Sequence, residues 1–350
     1  MNERVQAIVR QAAEHLTGDA ASDTAFLANL ALSFVAKDDP DAREVVSALS
    51  DLVQRRSIEE ESLAAGRLAD DEADDLHRAV NRTFELLEEG KPALALQTIE
   101  STARSLSSME ELGWCAPSDS VRFFDCNNLV EFLLCARVLA SGQVPQRSPQ
   151  WIMAPYMAMA ESLATLGRNE EAIAWLERVL VWNPASLRAH FAMADCYEEL
   201  GNPSMADRVL DEAYPFLAAP ESIASYLYEK GELALDRDDL PLACACYRSS
   251  KMFFPWPSSD DRLVYIRDAL GFDPLSVTEG ESILLFIDND IGAFPHEGAI
   301  GALKEARSIA YANGNRALAA AVSADLVALT FEYRWANLSD LANESGEILG

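Results

Sequence analysis

Residues 166 to 184, LGRNEEAIAWLERVLVWNP, set Ile173, Leu176, Val179 and Leu180 on one face at helical spacing. A single short helix of this kind is not stable alone in water, so something nearby must cover that face. Helical periodicity runs through most of the chain, whereas the alternation of half-buried strands, rich in Val, Ile and Thr, is nearly absent. The pattern predicts an all-α protein. Residues 1 to 57 read as three short helices broken near Gly18 and near DDPD at 38 to 41, with Asp39 as a cap and Pro40 at the first helical position. Further breaks fall at GWCAPSDS (113 to 120), GQVPQRSPQ (142 to 150), PWPSSDD (255 to 261) and GFDPLSVTEG (271 to 280). Between the first two lies SVRFFDCNNLVEFLLCARVLA (120 to 140), predicted as one helix without an obvious mate.

Three stretches align in register: YMAMAESLATLGRNEEAIAWLERVLVWNP, HFAMADCYEELGNPSMADRVLDEAY and LYEKGELALDRDDLPLACACYRSSKMFFP. Each opens with a helix holding a small residue (Ala160, Ala194, Gly231). A turn follows, then a second helix with another small residue (Ala172, Ala206, Ala243) and a large apolar one (Leu176, Leu210, Tyr247). The second set of alanines is spaced by 34 and then 37 residues, and Pro184 and Pro255 close the first and third stretches. This pattern resembles the tetratricopeptide repeat. The resemblance covers 153 to 256 and implies an α-solenoid of antiparallel helix pairs, a right-handed superhelix in which small residues let paired helices approach and each pair buries its remaining apolar face on the next. A degenerate unit, AVNRTFELLEEGKPALALQTIESTARSL, has Gly90 at the turn, Ala95 at the small site and Ile99 at the large site, but Arg82 where an apolar residue is usual and Thr83 at the first small site. The expected division is an N-terminal helical segment with an acidic connector (1–70), the degenerate unit plus the extra helix (71–145), three repeats (153–256) and a helical capping region (262–350). In the last of these, SILLFIDNDI, HEGAIGALKEARSIAYA and RALAAAVSADLVALTFEYRW continue the pattern loosely.

Composition changes the picture of partners more than that of the fold. The 350 residues carry 28 Lys and Arg against 57 Asp and Glu, a net charge of −29, which disfavours phosphate backbones and anionic lipid surfaces and favours cationic proteins or peptides. The start, MNERVQAIVRQAAEHL, has no apolar run of the secretory kind, and ALAAAVSADLVALTF (317 to 331) is too short to span a membrane, so the expectation is a cytoplasmic protein. Residues 59 to 75, EEESLAAGRLADDEADD, read as a solvated face or connector. Cys115, Cys126, Cys135, Cys196, Cys244 and Cys246 form no C-x-x-C pair and are expected to be reduced and buried.

No phosphate loop, dinucleotide fingerprint, zinc helix or nucleophile turn is present in the sequence. The best enzymatic candidate is LFIDNDIGAFPHEG, where Asp288, Asp290, His296 and Glu297 could gather a divalent metal; helix-exit chemistry is the simpler reading. His190 falls at a packing position, Cys244 and Cys246 point to different sides of one helix, and Trp175, Trp182 and Trp256 read as structural. No metal or cofactor is therefore expected.

The resemblance also implies where a partner would sit, because the first helix of each repeat lines the concave surface. Register carries that role onto Met157, Glu161 and Thr165, onto Arg188, Phe191, Asp195 and Glu198, and onto Ser225, Tyr228, Glu232 and Asp236. Acids and aromatics dominate, which suits a basic, amphipathic peptide segment of a partner protein. Relatives that hold a C-terminal carboxylate use Lys and Asn at such places; Met157, Glu161 and Asp195 stand there here, so that activity is not implied. The favoured expectation is a non-enzymatic interaction scaffold. A peptide-sensing or chaperone-like regulator with a separate helical effector module is the alternative, and a homo-oligomer formed through leftover array faces is a third.

Overall fold

The computed structural model describes residues 3–17, 20–37, 39–59, 75–116, 121–139, 142–148, 152–255 and 257–332. The chain divides into two compact units, residues 1–184 and 185–350. The first holds α1 (Glu3–Glu14), α2 (Ala20–Ala36), α3 (Ala42–Glu59), α4 (Asp75–Glu88), α5 (Pro92–Glu111), β1 (Val121–Phe124), α6 (Leu129–Ala136), β2 (Val144–Arg147), α7 (Met153–Thr165) and α8 (Asn169–Trp182). The second holds α9 (Leu187–Glu199), α10 (Pro203–Ala213), α11 (Pro220–Asp236), α12 (Leu240–Phe253), α13 (Pro257–Asp268), α14 (Glu279–Asp288), α15 (Glu297–Ala312) and α16 (Arg316–Thr330), with 3-10 turns at Tyr214–Phe216 and Pro274–Ser276. The fold is an all-α repeat fold, and its only described sheet is the short pair β1–β2.

Five antiparallel hairpins, α4–α5, α7–α8, α9–α10, α11–α12 and α15–α16, share one turn. In each, the first helix ends on a residue with positive φ: Gly90, Gly167, Gly201, Asp238 or Gly314. That residue donates its N–H one turn back, to Leu87, Ala164, Glu198, Leu235 or Tyr311. The next N–H reaches one residue further, to Leu86, Leu163, Tyr197, Ala234 or Ala310. This pair of hydrogen bonds to the last carbonyls needs left-handed backbone, which glycine adopts without strain and Asp238 adopts at a penalty. Five residues after each turn residue stands an alanine, the fourth residue of its helix: Ala95, Ala172, Ala206, Ala243 and Ala319, all fully buried.

The pairing of small with large explains why the hairpins close so tightly. A Cβ built on Gly231 would lie 2.7 Å from the Tyr247 ring, so that site admits nothing larger than glycine. Ala160 and Leu176, Ala194 and Leu210, and Thr83 and Ile99 stand at the same sequence separation and are likewise buried. In α15–α16 the sizes are reversed. Arg307 is 2% exposed at the small site, Ser323 takes the large one sixteen residues on, and the Arg307 Nε donates to the Ser323 Oγ at 2.9 Å.

The helix expected over 120–140 is not formed. Residues 121–124 instead make β1, which runs parallel to β2 in the register Val121↔Val144 to Phe124↔Arg147, and α6 is the crossover between them. Val121, Phe123 and Phe124 are buried together, and a short apolar run of this kind has the same hydrophobicity whether it is strand or helix. The following Asp-Cys-Asn-Asn breaks the chain, and Asn128 caps α6 by accepting from the Glu131 N–H. Asp125 turns inward, where its N–H donates to the Trp182 carbonyl and its Oδ2 accepts from the Met153 N–H at the start of α7. Burial pushes its carboxyl up to about 7 against that backbone donation. Cys126 and Cys135 lie 3.6 Å apart beside the Asn183 Oδ1, so these two thiols, nine residues apart in sequence, share one buried acceptor.

Elsewhere in the first unit, Glu110 on α5 accepts from Arg178 at 3.0 Å and from the Trp182 indole, tying α5 to α8. The question posed by α8 alone is answered by α7: Ile173, Leu176 and Val179 are buried in the hairpin. Near the N-terminus, α1 to α3 break where the pattern places them. Asp39 accepts from the Asp41 N–H and from Arg4 on α1, although the helix itself begins at Ala42, two residues past Pro40. In the second unit, Lys230 on α11 is 5% exposed and donates to Asp207 and Asp211 on α10, at 2.6 Å each. Cys244 and Cys246 are both fully buried, because α12 has α11 on one side and α13 and α14 on others. His190 is buried, its Nδ1 lies 2.9 Å from the Ser186 carbonyl oxygen, and burial lowers its pKa. Among the described residues no helix is long and apolar enough to cross a membrane. The acidic run at 60–74 and Trp256 lie outside the described residues.

Candidate interaction surface

Of the positions assigned by register, those of the second unit gather on α9 and α11, which touch. Asp195 and Glu198 on α9 meet Glu232 and Asp236 on α11 closely enough for each to act on the ionisation of Glu198. Loss of solvation, then those like charges, push Glu198 up to about 7. Its Oε1 is buried without a hydrogen-bond partner. Glu229 joins them; burial first, then Asp195, Glu198 and Glu232, push it up to about 8. Asp195, still exposed, is raised in the same direction by the water its carboxylate loses and by Glu199.

Register assigns Ser225, Tyr228, Glu232 and Asp236 to the α11 face and passes over Glu229. The signal was available: Glu229 stands four residues after Ser225 and three before Glu232, on the same helical stripe.

Glu232 differs from its neighbours because it already has partners. It accepts from the Tyr247 hydroxyl at 2.6 Å and from the Arg262 Nε at 2.8 Å, and forms an ion pair with that guanidinium. Tyr228 lies against Tyr247, ring centroids 5.6 Å apart. The acids that face each other unneutralised at the α9–α11 junction are therefore Asp195, Glu198 and Glu229, with Asp236 exposed at the end of α11. Phe191 is half-buried and Arg188 exposed, both nearer the start of α9.

In the first unit, Met157 is 3% exposed, which makes it a core residue of α7 and removes it from any surface a partner could reach. Its neighbour Tyr156 is buried against Trp175, ring centroids 5.3 Å apart. Glu161 is half-buried and Thr165, exposed, donates its hydroxyl to the Glu161 carbonyl. Asp288 ends α14, Asp290 takes left-handed backbone and His296 caps α15 by accepting from the Gly298 N–H, so these residues serve helix ends. Among the described residues no group of three His, Cys, Asp or Glu is arranged to hold a metal ion.

A chain of paired antiparallel helices with a shared turn and alternating small and large sites defines the class: a helical-hairpin repeat protein. Residues 155–186, spanning α7 and α8, match the family profile described as Tetratricopeptide repeat. The α7–α8 hairpin is thus similar to a tetratricopeptide repeat. A chain of the crystal structure of the APC/C hetero-tetramer Cut9-Hcn1 is similar at 13% identity and a TM-score of 0.33, over 98% of this chain and 59% of that one. This chain thus spans about 59% of the length of that solved relative. No curated protein sequence matches.

Proposed function

We propose that this chain is a non-enzymatic protein-interaction scaffold and that the α9–α11 face takes up a cationic segment of a partner protein. The tetratricopeptide repeat supports the scaffold role. The observation that carries the finer reading is the crowding of Asp195, Glu198 and Glu229, whose carboxylates are held against solvation and against one another. A Lys or Arg side chain placed among them would supply the missing counter-charge and the missing donor for the Glu198 Oε1. Phe191 and Tyr228, both half-exposed, flank the acids and would meet an apolar residue of the same segment.

The test is affinity capture from cell extract on the full chain at low and at raised salt, with Asp195→Asn/Glu198→Gln/Glu229→Gln as the comparison. Partners specific to the wild type should fall away with salt, since exposed charge contacts are screened, and should be absent from the triple variant. A partner set identical on both proteins and indifferent to salt would remove the α9–α11 face from the function.

A further inference from the structure

α14 is unlike the other helices described in its unit: none of its side chains is buried. Ile283, Leu284 and Ile287 are 61%, 60% and 64% exposed, and their spacing places them within one side of the helix. Leu275, in the turn just before it, is 79% exposed. The helix is nonetheless well formed, since Thr278 and Glu281 close its start reciprocally, each accepting from the other's N–H. Its other side, with half-buried Leu285 and Phe286, packs on α12. The hairpin that follows docks on α11 and on the 214–216 turn, so the apolar side of α14 stays open. A contiguous apolar surface left on a formed helix marks an interaction site more often than an idle face.

Charge identifies the occupant. From Asp273 to Glu297 the chain carries six acids and no Lys or Arg. Arg248 on α12 reaches this segment but is spent on the carbonyls of Pro274 and Val277. Two copies meeting through this face would bring acidic rims together. Residues 333–350, with three acids and one Arg, would do the same. We propose that the Ile283–Leu284–Ile287 face of α14 docks an amphipathic helix of another protein, apolar along one side and flanked by Lys or Arg, laid across it as one more helix of the array. This surface is separate from the α9–α11 acids and does not depend on them.

The probe is a fluorescein-labelled synthetic helix with leucines along one face and lysines on the rest, titrated by anisotropy against the full chain. Wild type should bind it. Ile283→Ser/Leu284→Ser/Ile287→Ser, which removes only exposed groups and should keep the parent's circular dichroism, should weaken binding by about tenfold or more. Glu279→Gln/Asp288→Asn/Asp290→Asn should weaken it and flatten its salt dependence, while a leucine/glutamate version of the helix should fail to bind. In the Asp195→Asn/Glu198→Gln/Glu229→Gln background, where the α9–α11 acids no longer compete for the lysines, binding to the α14 face should remain and the serine substitutions should cause the same loss. The proposal is overturned if the serine variant binds as wild type does, if the glutamate helix binds equally, or if only the α9–α11 variant loses binding. It is equally overturned if wild type sediments as a dimer that the serine variant dissolves, or if binding emerges only after residues 333–350 are removed, since the face then belongs to a second copy or to this chain.

Discussion

At the scale of single residues, the hairpins rest on complementary volumes rather than on fixed identities. Gly231 faces Tyr247 with no room for a Cβ, and Arg307 faces Ser323 with the sizes exchanged. Gly231→Leu should therefore cost at least about 1–3 kcal/mol, the usual penalty for overfilling a packed site. Ser323→Leu alone should also destabilise, and Arg307→Ala/Ser323→Leu, which restores the common arrangement, should recover a good part of the loss. Urea denaturation of the single and double variants measures that non-additivity directly; strict additivity would show that the two positions do not share a space. Asp238 supplies a further check, because it occupies the turn where the other four hairpins have glycine. Asp238→Gly should raise stability by up to about 1 kcal/mol in thermal melts.

At the scale of elements, legibility in the sequence followed how local the signal was. The three repeats and the degenerate unit could be read because a turn residue, glycine in all but the third repeat, an alanine five residues on and a large residue four beyond that lie within one short window. The α15–α16 hairpin has the same turn, Gly314, and the same alanine, Ala319, yet reads only as a loose continuation, since Arg307 and Ser323 invert the size pattern on which recognition relied. β1 escapes the pattern for another reason: Val-Arg-Phe-Phe is too short to show a period, and its strand conformation is set by pairing with residues 144–147 across the α6 crossover. Among the candidate interaction residues, register assigns Asp195, Glu198, Glu232 and Asp236 but passes over Glu229. The burial of Met157 and the prior engagement of Glu232 by Arg262 and Tyr247 depend on tertiary neighbours that no spacing reveals.

At the scale of the whole molecule, a chain with a net charge of −29 concentrates raised carboxyls in its second unit, and that sets its response to pH. An unfolded glutamate releases its proton near 4.5, whereas Glu198 and Glu229 hold theirs to about 7 and about 8. Between those values the folded chain binds more protons than the unfolded one, so stability is highest at the acid end of the window and falls as pH rises through it. Asp125, at about 7, and Asp325, at about 6, act in the same direction. Urea midpoints should therefore drop between about pH 5.5 and about pH 8.5, and Asp195→Asn/Glu198→Gln/Glu229→Gln should show a smaller drop.

The same linkage gives the binding reaction a signature that solubility alone would not produce. A cation seated among Asp195, Glu198 and Glu229 favours their charged forms, so association near neutral pH must expel protons and tighten as pH rises. The decisive measurement is calorimetric titration of a captured partner segment, or a lysine-rich peptide in its place, at about pH 7 in two buffers of different ionisation enthalpy. Release of roughly one proton per complex is expected for the wild type, with none from the triple variant and weaker binding there. Equal affinity for both proteins with no proton released by either would contradict a cation-binding α9–α11 face.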